Sequence, residues 1–398
     1  MPHSNLTIAF HLMDVSSWSA GAVHLSNLCC AARRAGGVQP TLCILAPSAD
    51  SDARHYAQSV GLDRIIDCNL PLPWSAQGAA TGLLKRLFGY DALMEGLVRR
   101  HAIDVVFGPE LAHQYRLRSA AAIAWMRDFQ HMHFPEMFSA EELASRDRVF
   151  LRCAQTATRI VVMSDAVRKD LESFAPQCRD KVTVLRPVSC VPESVYDHEP
   201  KSVLALYNLP SEFIYLPSQF WVHKNHDLVF QAIRALQDRG TRVSLLCTGS
   251  ASDYRHPGHF ARLTRKISEM GIRDQVIYLG LIPHEHVLQL MRQSICVLNP
   301  SLFEGWGYTV DEARSVGKQV LLSDIPAHRE QHPPKATFFD PTDCEDLTHK
   351  LAQIWREGKP GPDVELESEA RSNLPRRLRA YGEAFLSVAV QVVDETTG

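Results

Sequence analysis

Short apolar runs alternate with helical periodicity from one end of the chain to the other. The first set of runs is Leu6–Leu12, Thr41–Leu45, Arg64–Asp67, Ile103–Phe107, Ala121–Met126, Arg159–Met163 and Val182–Leu185. Each is rich in Val, Ile or Leu and bounded by Gly, Pro, Asp or Ser, the signature of a buried strand. The stretches between them read as helices. Examples are "HLSNLCCAARRAGG" from His24 and "SDAVRKDLESFA" from Ser164, whose first serine suits an N-cap. The pattern then starts again with Phe213–Leu216, Val243–Cys247, Gln275–Leu279, Ile295–Leu298, Gln319–Leu322 and Thr337–Phe339. Strands that are apolar on both faces and alternate with helices predict parallel sheets covered on both sides.

Between the two sets lies "RPVSCVPESVYDHEPKS" (Arg186 to Ser202), with three prolines and no periodicity. It reads as a linker. Two α/β domains are therefore expected: 1–190 and 195–369, both Rossmann-like and doubly wound, facing each other across a cleft. The tail, 370–398, reads as helix broken near Pro375 and is expected to pack on the first domain. A length of 398 residues agrees with two cores.

Composition narrows the class only slightly. The chain is 22% charged with a formal net charge of -3, so no basic field suggests nucleic acid. The N-terminus lacks a signal-peptide pattern. The longest apolar stretch, Ala120 to Met126, is far short of the ~20 residues a membrane helix needs. The ten cysteines have no Cys-x-x-Cys spacing and read as core residues and free thiols of a reducing, cytoplasmic compartment. Eighteen histidines cluster only at "HMH" (His131, His133) and "HKNH" (His223, His226), without a third ligand at metal spacing. No metal site and no cofactor are expected.

In doubly wound sheets, ligands bind beyond the carboxyl ends of the strands, so chemistry is sought at strand-to-helix turns. Four stand out. "MDVSSWSAGAVHLSN" (Met13 to Asn27) is Ser- and Gly-rich around Gly21, suited to an anion or a sugar, or an ordinary loop. "AWMRDFQHMHFPEMFS" (Ala124 to Ser139) crowds Arg127, Asp128, Gln130, His131, His133 and Glu136 behind a strand, as a site wall or a surface loop. "YLPSQFWVHKNHDLVFQAI" (Tyr215 to Ile233) puts Gln219 in the turn, Lys224 at a helix start and Asn225 in position to cap that helix. A cation there opposes the helix dipole unless both grip an anion such as a diphosphate. "FEGWGYTVDEAR" (Phe303 to Arg314) holds Glu304 and Glu312, with Gly305 and Gly307 between them. Those glycines disfavour one continuous helix. The expectation is a loop followed by a helix near Thr309, with Glu312 either in the site or in a Thr309-x-x-Glu312 capping box.

Taken together, these turns resemble glycosyltransferase family 4, the retaining nucleotide-sugar transferases of the GT-B fold. The resemblance is strongest over "PSLFEGWGYTVDEARSVGKQVLLSDIPAHRE" (Pro300 to Glu330), where Glu304 and Glu312 form the family's Glu-x7-Glu element. It extends to "QFWVHKNH", "WSAGAVHLSNL" and "DFQHMHFPE". The resemblance implies that Lys224 holds the donor diphosphate and Glu304 the sugar hydroxyls. Backbone groups of Gly305, Trp306, Gly307 and Tyr308 would add donors, Thr309 would touch a phosphate, and Glu312 would accept from the ribose hydroxyls. The base would lie near Gly280 to Pro283. Gly21 and the Asp128–His131 loop would face the sugar from the first domain, with Asp128 and His131 as catalytic candidates.

Two positions depart from the family pattern. Gln219 stands where relatives carry an arginine, five residues before the lysine, and Arg127 stands where many have a histidine. The reaction implied is metal-independent transfer of a hexose, with retention, from a nucleotide diphosphate sugar to a hydroxyl of a glycan or lipid-linked glycan. Bacterial surface polysaccharide, such as the O-antigen of lipopolysaccharide, is the implied product. A sugar-nucleotide epimerase and a non-catalytic scaffold are the alternatives. The segment Gly82 to His101, with Lys85, Arg86, Arg99 and Arg100 among leucines, suits either the inner face of a membrane or ordinary packing.

Overall fold

The structure is a computed structural model, and it describes residues 6–11, 19–47, 50–68, 82, 89, 91–109 and 116–397. The chain divides into two compact units. One comprises 1–190 with 375–398, the other 191–374.

The first unit is built on a seven-stranded sheet. Its strands are β1 (Thr7–His11), β2 (Thr41–Ala46), β3 (Arg64–Asp67), β4 (Val105–Pro109), β5 (Ala121–Trp125), β6 (Arg159–Val162) and β7 (Val182–Val184), in the order β3-β2-β1-β4-β5-β6-β7. Every pairing is parallel. β1, β4 and β5 are almost wholly buried, which their unbroken apolar sequences require of central strands covered on both faces. The second unit has β8 (Ile214–Pro217), β9 (Leu245–Thr248), β10 (Val276–Tyr278), β11 (Cys296–Asn299), β12 (Val320–Ser323) and β13 (Ala336–Phe339). They form a six-stranded parallel sheet in the order β10-β9-β8-β11-β12-β13. Thirteen apolar runs thus become thirteen strands, displaced by one or two residues at most ends.

Both sheets reverse direction once. In the second unit the chain leaves β8 toward β9 and β10 on one side, then returns to β11, β12 and β13 on the other. The turns after β8 and β11 therefore flank the crevice where such sheets bind ligands. In the first unit the corresponding strands are β1 and β4, and the segments after them, 12–18 and 110–115, lie outside the described residues.

Three expectations are corrected. The C-terminal helix, Val364–Thr397, is not broken at Pro375 but runs through it. A proline costs an interior helix one hydrogen bond without having to end it. Not all cysteines are free: Cys30 and Cys190 form a disulfide inside the first unit, while Cys29, Cys43, Cys68, Cys153, Cys178, Cys247 and Cys296 are free and buried. Asn225 does occupy the N-cap of the helix His226–Asp238, but its side chain makes no capping bond; its amide donates to Pro341 O at 2.9 Å.

One buried arginine holds the second unit together. Arg292, 3% exposed, pairs through Nε and Nη2 with both oxygens of Glu367 at 2.8 Å. It also donates to the carbonyls of Val195, Tyr196 and His198. The start of the unit is thereby tied to the helix near its end.

Candidate active site

The site is assembled from the turns after β8 and β11. After β8 the chain passes through Ser218, Gln219 and Phe220 into a single 3-10 turn, Val222–Lys224, which ends at Asn225 in the left-handed conformation. The turn is held close to the end of β9. Gly249, at φ +132, approaches so near that an added Cβ would stand 2.3 Å from Ser218 O. Phe220 N donates to Ser250 O, and Leu302 N, in the loop after β11, donates to His223 O at 2.8 Å. The two loops are thus joined by main chain before any side chain is considered.

Across that junction Lys224 Nζ donates to Glu304 Oε1 at 2.5 Å. Both side chains are largely shielded, 19% and 12% exposed. Burial alone would push the Glu304 carboxyl up; the charge of Lys224, the neighbouring His328 and the hydrogen bond from Lys224 outweigh it and hold it down to about 2. Ser301 Oγ lies 2.7 Å from Glu304 Oε1 and 2.7 Å from Asn299 Oδ1, with one proton to give to either. An ammonium has three donors, and Glu304 takes one of them.

The rest of the stretch divides as its glycines suggest. Phe303 to Gly307 is loop, and the helix begins at Tyr308, one residue before the expected Thr309. Gly307 is its N-cap at φ +91, a conformation L side chains rarely adopt, and no side chain caps it. The capping box is therefore not formed. Thr309 is already inside the helix, where its hydroxyl donates to Pro217 O at 3.2 Å, at the end of β8. An anion would be favoured at the start of that helix. Trp306 is buried at 4% exposure, and its carbonyl accepts from Gln331 Nε2 at 2.6 Å. Its indole is thus part of the loop's support. His328, fully buried, packs against Gly307 and hydrogen-bonds Ser323 O through Nδ1 at 2.9 Å.

Glu312 stays in the helix and pairs with His284 Nε2 at 2.8 Å. His284 opens the helix His284–Gln293, directly after the stretch Gly280 to Pro283. Burial pushes its imidazole pKa down, and the hydrogen bond and charge of Glu312 more than offset that, leaving it raised.

The remaining sequence-derived candidates lie in the β8 turn and in the first unit. Gln219 is partly buried in the β8 turn. His223 and His226 are buried, and burial, aided by the Lys224 charge, lowers both to about 3. They are neutral packing groups, His226 being stacked on Phe220 with centroids 4.0 Å apart. In the first unit Gly21 is the third residue of the helix Ser19–Arg34 and is buried. Asp128 accepts from Gln130 N at 3.1 Å and lies 3.9 Å from Arg146. His131 is 3% exposed and lies against the rings of Phe129, Phe138, Phe150 and Phe174. Burial and the nearby Arg146 lower its pKa. In the described structure it is a core histidine 3.3 Å from Asp147. The more exposed His133 pairs with Asp170 at 2.9 Å. Lys85 and Arg86 lie outside the described residues.

Sequence reasoning missed Ser301, His284, His328 and Gln331. Ser301 acts within its own loop, on Asn299 and Glu304, and the other three act through tertiary proximity. Among the described residues no group of three or more His, Cys, Asp or Glu side chains is placed to hold a metal ion. No described helix is long and apolar enough to cross a membrane.

Residues 206–373 match the family model described as glycosyl transferases group 1. The serotype-specific mannosyltransferase WbdA of Escherichia coli is 23% identical over 198 residues, 48% of this chain and 24% of that protein. The chain thus spans about a quarter of the length of that relative. The O-antigen chain mannosyltransferase B of Escherichia coli is 23% identical over 265 residues, 64% of this chain and 67% of its own. Among solved structures, Anabaena Alr3699/HepE in complex with UDP and glucose superposes with a TM-score of 0.67 at 15% identity, covering 98% of this chain and 99% of that one. The match to the group 1 glycosyl transferase model thus falls within the second unit, and the chain has the GT-B fold.

Proposed function

We propose that this chain is a group 1 glycosyltransferase that moves a hexose from a nucleotide diphosphate sugar to a hydroxyl of a glycan acceptor, with retention of anomeric configuration. The observation that carries the reading is the Lys224–Glu304 contact at the point where the second sheet reverses direction. Lys224 holds the diphosphate and stabilises the charge that builds on it as the sugar leaves. Glu304, kept ionised by its surroundings, accepts from sugar hydroxyls. Thr309 and the amides of the Gly305–Tyr308 segment add phosphate contacts, and Glu312 takes the ribose diol. Retention follows if the acceptor attacks on the face the diphosphate leaves, the leaving phosphate taking the acceptor proton. The protein then contributes positioning and charge, and no enzyme nucleophile is needed.

The relatives' names support a mannosyl donor and an O-antigen acceptor, which would place the reaction at the cytoplasmic side of a membrane carrying a lipid-linked glycan. The test is incubation with a panel of labelled nucleotide diphosphate sugars, mannose and glucose included, with and without lipid-linked oligosaccharide. Acceptor-dependent transfer with the donor's anomeric configuration is expected. Epimerised donor without acceptor would assign the epimerase instead, and saturable donor binding without turnover would assign a scaffold.

A further inference from the structure

We propose that His284 is a positioning residue that fixes Glu312 in the orientation that receives a ribose diol. The inference rests on the reading of Glu312 given above.

Glu312 is 8% exposed, and the hydrogen-bond partner of its carboxylate among the described residues is His284 alone. A carboxylate that gives up water for a single partner is under-satisfied, because it can accept about four hydrogen bonds. Two donors on adjacent carbons, the 2′- and 3′-hydroxyls of a ribose, supply the kind of partner it lacks. A glutamate side chain is long and would lose that alignment if its carboxyl turned freely. The imidazole prevents this by holding Oε1 at 2.8 Å and leaving Oε2 open. Its own anchorage is rigid: it is the first residue of the helix His284–Gln293, which packs on the helix bearing Glu312. Its side chain is half exposed, whereas that of Glu312 is 11% exposed. The histidine thus stands on the solvent side and the carboxylate beneath it. Neighbours do not compete for the pair: Glu285 is engaged by His198 and His286 by Tyr207.

The experiment measures dissociation constants of UDP, GDP and their 2′-deoxy forms by calorimetry, for the full-length protein and for His284→Ala, His284→Gln and Glu312→Gln. The wild type is expected to prefer the ribonucleotide of its cognate base by about tenfold or more, the scale of a hydrogen bond to a charged group. His284→Ala should abolish most of that preference by weakening the ribonucleotide, while the affinity for the 2′-deoxy form stays within about threefold of wild type. His284→Gln, which can still donate to Oε1, should keep it. A His284→Ala protein that discriminates like wild type, while Glu312→Gln does not, overturns this proposal alone. Undiminished discrimination in Glu312→Gln overturns the ribose reading beneath it, as does failure of every ribonucleotide to bind the wild type. Melting temperatures of the four proteins separate a positioning loss from misfolding.

Discussion

Lys224 and Glu304 are 80 residues apart in the chain and 2.5 Å apart in space. Each is placed by the turn after a different strand, and the two strands are neighbours because the sheet reverses between them. A shielded pair of this kind is costly to break from one side, because the remaining charge keeps its desolvation penalty. Lys224→Ala should therefore destabilise the protein, by up to roughly 3–5 kcal/mol. Lys224→Ala with Glu304→Gln should recover much of the loss. Chemical denaturation of the two single variants and the double variant measures the coupling, and strictly additive losses would count against it.

Low pH should act through buried histidines first. His24, His223 and His226 have pKa values lowered from 6.5 to about 3 by burial. The unfolded chain takes up protons below about 6.5 and the folded chain does not, so this stabilisation is present above 6.5 and is lost as pH falls toward 3. Glu304, held down to about 2, adds a second loss below the ordinary carboxylate range. Melting temperature should hold from pH 7.5 to about 6.5 and fall from there to pH 5; a flat profile between about 6.5 and 5 would contradict it.

Gly249 and Gly307 should resist substitution for different reasons. At Gly249 a methyl group would meet Ser218 O at 2.3 Å, so Gly249→Ala must displace the β8 turn that carries Lys224. At Gly307 the nearest obstacle is His328 at 3.4 Å, ordinary contact, and the cost comes from φ +91. Gly307→Ala should cost about 1–2 kcal/mol and weaken donor binding, whereas Gly249→Ala should be the more damaging to both. Equal, small effects in thermal denaturation would show that neither the close approach at Gly249 nor the positive φ at Gly307 matters.

Arg292 provides a control away from the site. Arg292→Met leaves Glu367 without its partner and should destabilise by roughly 3–5 kcal/mol. At a temperature where the variant is folded, its donor affinity should equal that of wild type. A large affinity loss there would mean that the Val195–His198 segment reports on the site.

His131 separates two readings of one residue. Packed among four phenylalanines, it should tolerate His131→Phe with little change in melting temperature. Loss of transfer in a protein that melts like wild type would restore the catalytic role suggested by its loop; unchanged transfer would leave it as core.

The strands were legible because parallel sheets buried on both faces demand uninterrupted apolar runs, and those runs have few other uses. The split of "FEGWGYTVDEAR" was legible too, since Gly305 and Gly307 disfavour a helix locally. The fate of Glu312 was not. Thr309-x-x-Glu312 satisfies the capping-box pattern, but the box requires Thr309 at the N-cap, and Gly307 takes that place because its positive φ starts the helix earlier. His284, the partner Glu312 finds instead, is 28 residues away and carries no motif. The same limit applies to His131: polar density after a strand marks a loop, but only packing decides which of its histidines turns inward.

In the proposed function Lys224, next to Glu304, grips the diphosphate of a sugar nucleotide. Calorimetric titration of the wild type and Lys224→Ala with nucleotide diphosphate sugars, and with the matching nucleoside monophosphates, tests it directly. Saturable binding of one sugar nucleotide is expected for the wild type, with at least about a tenfold loss in Lys224→Ala, the scale of a charge-assisted hydrogen bond. The monophosphate should lose far less. Equal affinities in the two proteins, both folded, would contradict it.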